Sequence, residues 1–240
     1  MSKIYQTVTA TTLLIFLAVG LTSCTSHGDM AEMSVAKQAE KLNDFATAQD
    51  HYTRIAENGV PEAQLGLAKL LLKQNPHPTK DVGAHILSLA QDAATEDMPQ
   101  AYLLLGDLAR DGIGGPKNPK QSYEYYVKAY HLGYKKAAYK IGDSLLDSKH
   151  PLEALPWFQQ AFDAGNSKAL TKIGQIWEDG GVGVTKNVIV AQAYYKWAAE
   201  LAVADGVRNA ARLDKKLTAD GKKKVEETLK SLKSGLFNTP

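Results

Sequence analysis

The chain has 240 residues, 44% of them hydrophobic and 22% charged, with a formal net charge of +2 and a single cysteine. Near-neutrality gives no bulk electrostatic drive toward nucleic acid or an anionic surface, and one thiol excludes an internal disulfide framework. The apolar content suffices for one large domain or one elongated array.

The opening segment has one cation, Lys3, then an uncharged stretch from Ile4 to Ser26 centred on Leu13-Leu14-Ile15-Phe16-Leu17-Ala18-Val19. This pattern predicts a secretion signal over residues 1–23. Its apolar part, roughly a dozen residues, is shorter than the ~20 that span a bilayer, and small polar residues rather than a basic cluster follow it. A permanent transmembrane helix is therefore not expected. Leu21-Thr22-Ser23-Cys24 resembles the bacterial lipobox, in which the cysteine receives diacylglycerol and becomes the mature N-terminus. Two readings of Cys24 stay open, lipidation and simple cleavage with release. The agreement of position, spacing and preceding apolar run favours lipidation. By the same resemblance, Thr25 rather than Asp after the cysteine implies sorting to the outer membrane. Residues 24–44 are then expected to be a lipidated N-terminus and linker. Without residues 1–23, which hold Lys3, the formal balance is +1.

From residue 45 the chain repeats itself. With Ala63, Ala101, Ala137 and Ala169 as anchors, the residues four places on are Leu67, Leu105, Ile141 and Ile173, and five places on are Ala68, Gly106, Gly142 and Gly174. Four places before the anchors stand Gly59, Asp97, Gly133 and Gly165, seven before stand Ala56, Ala94, Tyr130 and Phe162, and eleven before stand Tyr52, Ala90, Tyr126 and Phe158. Offsets of four and seven share one helical stripe. Each unit thus reads as two antiparallel helices joined at a glycine suited to a left-handed terminus. The small residues let neighbouring helices approach closely while aromatics and aliphatics fill the gaps. Two loops are nearly the same, Gly112-Ile113-Gly114-Gly115-Pro116-Lys117-Asn118 and Gly181-Val182-Gly183-Val184-Thr185-Lys186-Asn187, each with a tyrosine (Tyr126, Tyr195) eight residues after the Asn.

These residues resemble the Sel-one-like repeat (SLR) family of tetratricopeptide-related proteins, over about residues 45–232. The resemblance implies an all-α fold, a right-handed α-solenoid of stacked antiparallel helix pairs, with a flexible tail at 233–240. Tyr52 to Gly59 leading into Glu62 to Ala68 is similar to the start of alginate-export scaffold lipoproteins of the AlgK type, across about one unit.

Chemistry-bearing motifs are sparse. The Gly-rich loops lack the Gly-Lys-Ser/Thr that closes a phosphate cradle and read as turns. The six histidines form no i,i+4 pair, so no metal site is expected, and Gly-x-Ser-x-Gly is absent. No cofactor is called for. Tyr126 and Tyr130 fall on the core stripe. Arg208 to Pro240 has nine basic and four acidic residues, interleaved as in a solvated capping helix.

Places three and six after each anchor point away from the small-residue stripe, and hold Lys69, then Leu104 and Asp107, then Lys140 and Asp143, then Lys172 and Gln175. Solenoids bind partners along extended surfaces of this kind, so Lys69, Asp107, Lys140, Asp143, Lys172 and Gln175 are the candidate partner-binding residues. The expected function is that of a membrane-anchored periplasmic adaptor. It would engage other envelope proteins, reach the membrane through Cys24, bind no nucleic acid and catalyse no reaction, with the resemblance pointing to exopolysaccharide export. Two alternatives remain: an envelope enzyme or polysaccharide-binding module with Asp107 and Asp143 converging in a groove, or a secreted factor meeting host proteins. The oligomeric state is left open.

Overall fold

The computed structural model describes residues 27–235. The expected signal segment 1–23, Cys24 and residues 236–240 of the expected tail lie outside the described residues. The chain divides into two compact units, one up to Glu96 and one from Asp97 onward.

The first unit holds α1 (His27–Lys41), α2 (Phe45–Glu57), α3 (Pro61–Gln74) and α4 (Lys80–Ala94). α1 packs on α2, α2 on α3 and α3 on α4. The second holds α5 (Pro99–Asp111), α6 (Pro119–His131), a 3-10 turn at Lys135–Ala137, α7 (Ala138–Asp147), α8 (Pro151–Asp163), α9 (Lys168–Asp179), α10 (Val188–Glu200), α11 (Ala204–Asp214) and α12 (Ala219–Lys233). Each helix from α5 to α10 packs on the next, and α12 closes against α10. Among the described residues the only β-type pairing is an isolated bridge between Gly181 and Val184.

Local chemistry sets the helix ends. Pro61, Pro99, Pro119 and Pro151 open α3, α5, α6 and α8, where the missing N–H costs no intrahelical bond. Gly59, Gly133 and Gly165 turn the chain between helices with φ of 76°, 95° and 90°, and Asp97 does the same at 53°. Asp tolerates the left-handed region better than most non-glycine residues, which is how one copy dispenses with glycine.

The core follows the stripe. Ala63, Ala101, Ala137 and Ala169 are all 0% exposed, and Tyr52, Tyr126, Phe158 and Tyr195 are buried beside them. A fully buried aromatic or large aliphatic contributes about 1.5–3 kcal/mol, so this ladder of small residues and rings, not surface charge, holds each unit together. Tyr126 is in the core as the stripe predicts, whereas Tyr130 is half-buried. Its ring meets Trp157 edge-on at 5.1 Å.

The expected linker at 24–44 is corrected in part, because residues 27–41 form α1. Ala36 and Ala39, three residues apart, face inward at 0% and 7% exposure, and Tyr52 of α2 donates to Glu40 at 3.2 Å. α1 supplies the outer half of a helix pair, and its buried residues are alanines. It lacks the glycine and aromatic that mark the later copies.

Candidate protein-interaction surface

In the second unit α5, α7 and α9 each open a helix pair, and the small residue of each receives a ring from the helix that follows. An ideal Cβ would lie 2.4 Å from Tyr126 at Gly106, 2.9 Å from Phe158 at Gly142 and 2.7 Å from Tyr195 at Gly174. The ring fixes where its para position reaches, and a hydroxyl there meets a carboxylate of the first helix. Tyr126 donates to Asp107 at 2.7 Å, and Tyr195 donates to Glu178 at 3.0 Å. Burial, reinforced by these carboxylates, pushes both phenols above their ordinary range. They stay protonated donors. In the middle pair the ring is Phe158, so Asp143 receives no aromatic hydroxyl.

The same carboxylates reach forward to the next pair. Asp107 accepts from Lys140 at 2.8 Å, Asp143 from Lys172 at 2.7 Å, and Glu178 from both terminal nitrogens of Arg212 at 2.7 and 2.5 Å. The Arg212 fork, then the Tyr195 hydroxyl, hold the Glu178 carboxyl below the ordinary range for glutamate. Arg110 also approaches Asp107 at 3.5 Å and binds Asp111 at 2.9 Å, and that hydrogen bond lowers the Asp111 carboxyl.

Four of the six predicted site residues are therefore brought together as two ion pairs stepping from α5 to α7 and from α7 to α9. Their side chains are 27–31% exposed. Pairs this open are worth roughly 0–1 kcal/mol, weak enough to exchange with groups on a partner. Gln175 is exposed beside the second pair. Leu104, at the matching place on α5, is 6% exposed and belongs to the core instead, because its side chain faces the helix pair. Lys69 is exposed on α3 of the first unit.

Asp143, Lys172 and Gln175 line one groove of about 480 Å³, together with Asp147, Lys149, Ile176 and Asp179. The loop after α9 forms its rim through Gly180, Gly181 and Val182, and Val182 is 76% exposed. Asp107 is not among the lining residues, so the two aspartates considered for an acid/base pair do not share this groove. Among the described residues no group of three His, Cys, Asp or Glu is placed to hold a metal ion, and no helix is long and apolar enough to cross a membrane.

Sequence reasoning missed this rim, because it paired Gly112 with Gly181 by equal loop length. The structure pairs Gly112 with Gly180: both are left-handed in φ, at 75° and 68°, and a Cβ on either would meet a lysine Cγ (Lys117 or Lys186) at 2.8 Å. Downstream, Asn118 and Asn187 donate their backbone N–H to Ala109 and Trp177, both at 2.8 Å. The second loop thus carries one extra residue, taken up in the Gly181–Val184 bridge. That residue projects Val182 over the groove.

Residues 99–134, 135–166 and 167–203 match the Sel1 repeat family. The chain carries three Sel1 repeats. They coincide with α5–α6, the 3-10 turn with α7–α8, and α9–α10, so each Sel1 repeat is one helix pair with its ring and small residue. Sel1 repeats form a protein-interaction scaffold. The chain is 33% identical over 96 residues to the alginate biosynthesis protein AlgK of Azotobacter vinelandii. It is 31% identical over 98 residues to chitin synthase regulatory factor 3 of Schizosaccharomyces pombe. These matches cover 40% and 41% of the chain but only 20% and 10% of the two relatives. Among solved structures, c5321, a protective antigen of uropathogenic Escherichia coli with an SLR fold, aligns at TM-score 0.66 and 23% identity, covering 86% of this chain and 46% of that one. At that identity the likeness establishes the solenoid fold alone.

Proposed function

We propose that the chain is a lipid-anchored envelope adaptor, held by Cys24 in the outer membrane on its periplasmic side, that docks partner proteins along the first helices of its Sel1 repeats. Residues 1–23 act as the signal peptide, 45–232 hold the helical repeats, and the chain works by binding rather than catalysis. The single observation that carries the docking reading is the groove: Asp143, Lys172 and Gln175, picked from repeat register alone, line one cavity with an exposed apolar residue, Val182, on its rim. A partner segment there meets a carboxylate, an ammonium, an amide and an apolar contact on a preformed surface, with little ordering cost on the scaffold side. The pairing of Asp107 and Asp143 with lysines leaves the enzyme alternative without a shared acid/base site. The resemblance to an alginate biosynthesis protein supports exopolysaccharide export as the process.

A photo-crosslinking amino acid at Gln175 tests the docking reading in intact cells, with the same substitution at His85 on α4 as reference. The expected result is a discrete set of adducts at Gln175 that is absent at His85. Equal capture at both positions rejects the groove.

A further inference from the structure

The two terminal helices of the described chain finish their units in opposite ways. Beyond its first residue, Ala219, every exposed side chain of α12 is charged, from Asp220 to Lys233. This is the solvated finish a repeat array needs. α1 departs from it. Of the eight exposed large apolar side chains among the described residues, three lie on α1 or in the turn after it: Met30 at 55%, Val35 at 45% and Leu42 at 69%.

The charges of α1 are also sorted by sign. At 100° per residue its three carboxylates, Asp29, Glu32 and Glu40, share the arc that holds Ala36 and Ala39. All three are engaged by the protein: Asp29 accepts from Asn58 at 3.0 Å, Glu32 meets Arg54 and His51 at 3.5 Å, and Glu40 accepts from Tyr52. The opposite half of the helix carries Met30, Ala31, Ser34, Val35, Lys37, Gln38 and Lys41, every one exposed. That half has two ammonium groups, apolar side chains and no carboxylate. Glu62, at the start of α3, borders it across a recess of about 430 Å³ that Met30, Met33 and Lys37 also line.

We infer that the outward half of α1 rests on the headgroup layer of the bilayer. Exposed apolar side chains can enter the acyl boundary while Lys37 and Lys41 extend to lipid phosphates. The inference rests on the proposed anchor: His27, the first residue of α1, is three residues after Cys24, a reach of at most about 11 Å. A helix held so near a membrane meets lipid before any other partner.

The test uses the full chain with Ser34→Cys, made in bacterial cells, extracted from the envelope and reconstituted in vesicles of phosphatidylethanolamine and phosphatidylglycerol. An environment-sensitive maleimide dye labels the new thiol, and Ser88→Cys on α4 is the reference. The mass of the N-terminal peptide reports acylation of Cys24. With the acyl mass present, the dye at Ser34 is expected to shift to the blue and brighten about twofold or more as it leaves water. The dye at Ser88 stays aqueous. Lys37→Glu with Lys41→Glu, both solvent-exposed, should return the Ser34 dye to its aqueous spectrum at unchanged helicity. An aqueous spectrum at Ser34 despite acylation overturns the docking inference alone. Absence of the acyl mass overturns the anchor, and the inference with it. A shift in native envelopes that is lost in pure vesicles overturns it in favour of a protein contact.

Discussion

The ring of Tyr126 fills the space that a Cβ on Gly106 would need, with Cε1 2.4 Å from where that atom would lie. Neither side can yield, because Tyr126 is 0% exposed and its hydroxyl is tied to Asp107. Gly106→Ala should therefore destabilise the second unit by roughly 1–3 kcal/mol, overriding a helix-propensity gain of at most about 1 kcal/mol. Urea titration followed by circular dichroism checks this. Stability equal to or above wild type would mean that the ring is free to move.

Glu178 should impose an acid limit on the same unit. Its carboxyl is held below the ordinary value of 4.5 in the folded chain by Arg212 and Tyr195. A depressed carboxyl contributes stability that is fully present above the unfolded value and is lost as pH falls through the folded one. Thermal melts from pH 6 down should fall off below about pH 4.5, and Glu178→Gln should flatten that loss while lowering stability at neutral pH. Parallel profiles for the two proteins would show that this pair contributes nothing to the acid transition.

The two matched loops make a paired prediction. Asn118 caps α6 through the N–H of Gln121 at 3.1 Å, and Asn187 caps α10 through those of Ile189 and Val190, both at 3.1 Å. Replacing either Asn by Ala should cost about 1 kcal/mol, with the larger loss at Asn187, where two donors are orphaned. Denaturation midpoints of the two variants, measured side by side, decide the order.

Structural and binding roles of the ion pairs separate by exchange. Asp143→Lys with Lys172→Asp keeps an opposite-charge pair between α7 and α9 but reverses the polarity it offers to a partner. The melting curve should stay within about 0.5 kcal/mol of wild type, while the adducts formed at Gln175 should diminish. Adducts unchanged by the exchange would assign the pair to the fold alone.

How far the residues foretold this arrangement depends on the separation over which each signal acts. The anchors Ala63, Ala101, Ala137 and Ala169 recur at repeat spacing, and Tyr126 and Phe158 each stand eleven residues before the next anchor, so their burial was legible before any coordinates. The pairing of Asp107 with Lys140 spans 33 residues and depends on how far one helix pair is displaced from the next, which no local period encodes. The prediction therefore placed these side chains on one face as free polar groups and missed that they neutralise each other. α1 was missed for a different reason: its buried residues are the alanines Ala36 and Ala39, without a glycine or ring to mark a register. The loop after α9 was misaligned because the two loops match back from Asn118 and Asn187, and the residue inserted between Gly180 and Asn187 shifts only the opening glycine.

Phe158 stands where the flanking repeats have Tyr126 and Tyr195, and this leaves Asp143 with acceptor capacity that an aromatic hydroxyl takes up in its neighbours. Phenylalanine and tyrosine codons differ at one base. The middle repeat is thus a single nucleotide substitution away from carrying a third buried phenol, through a side chain that is itself 0% exposed.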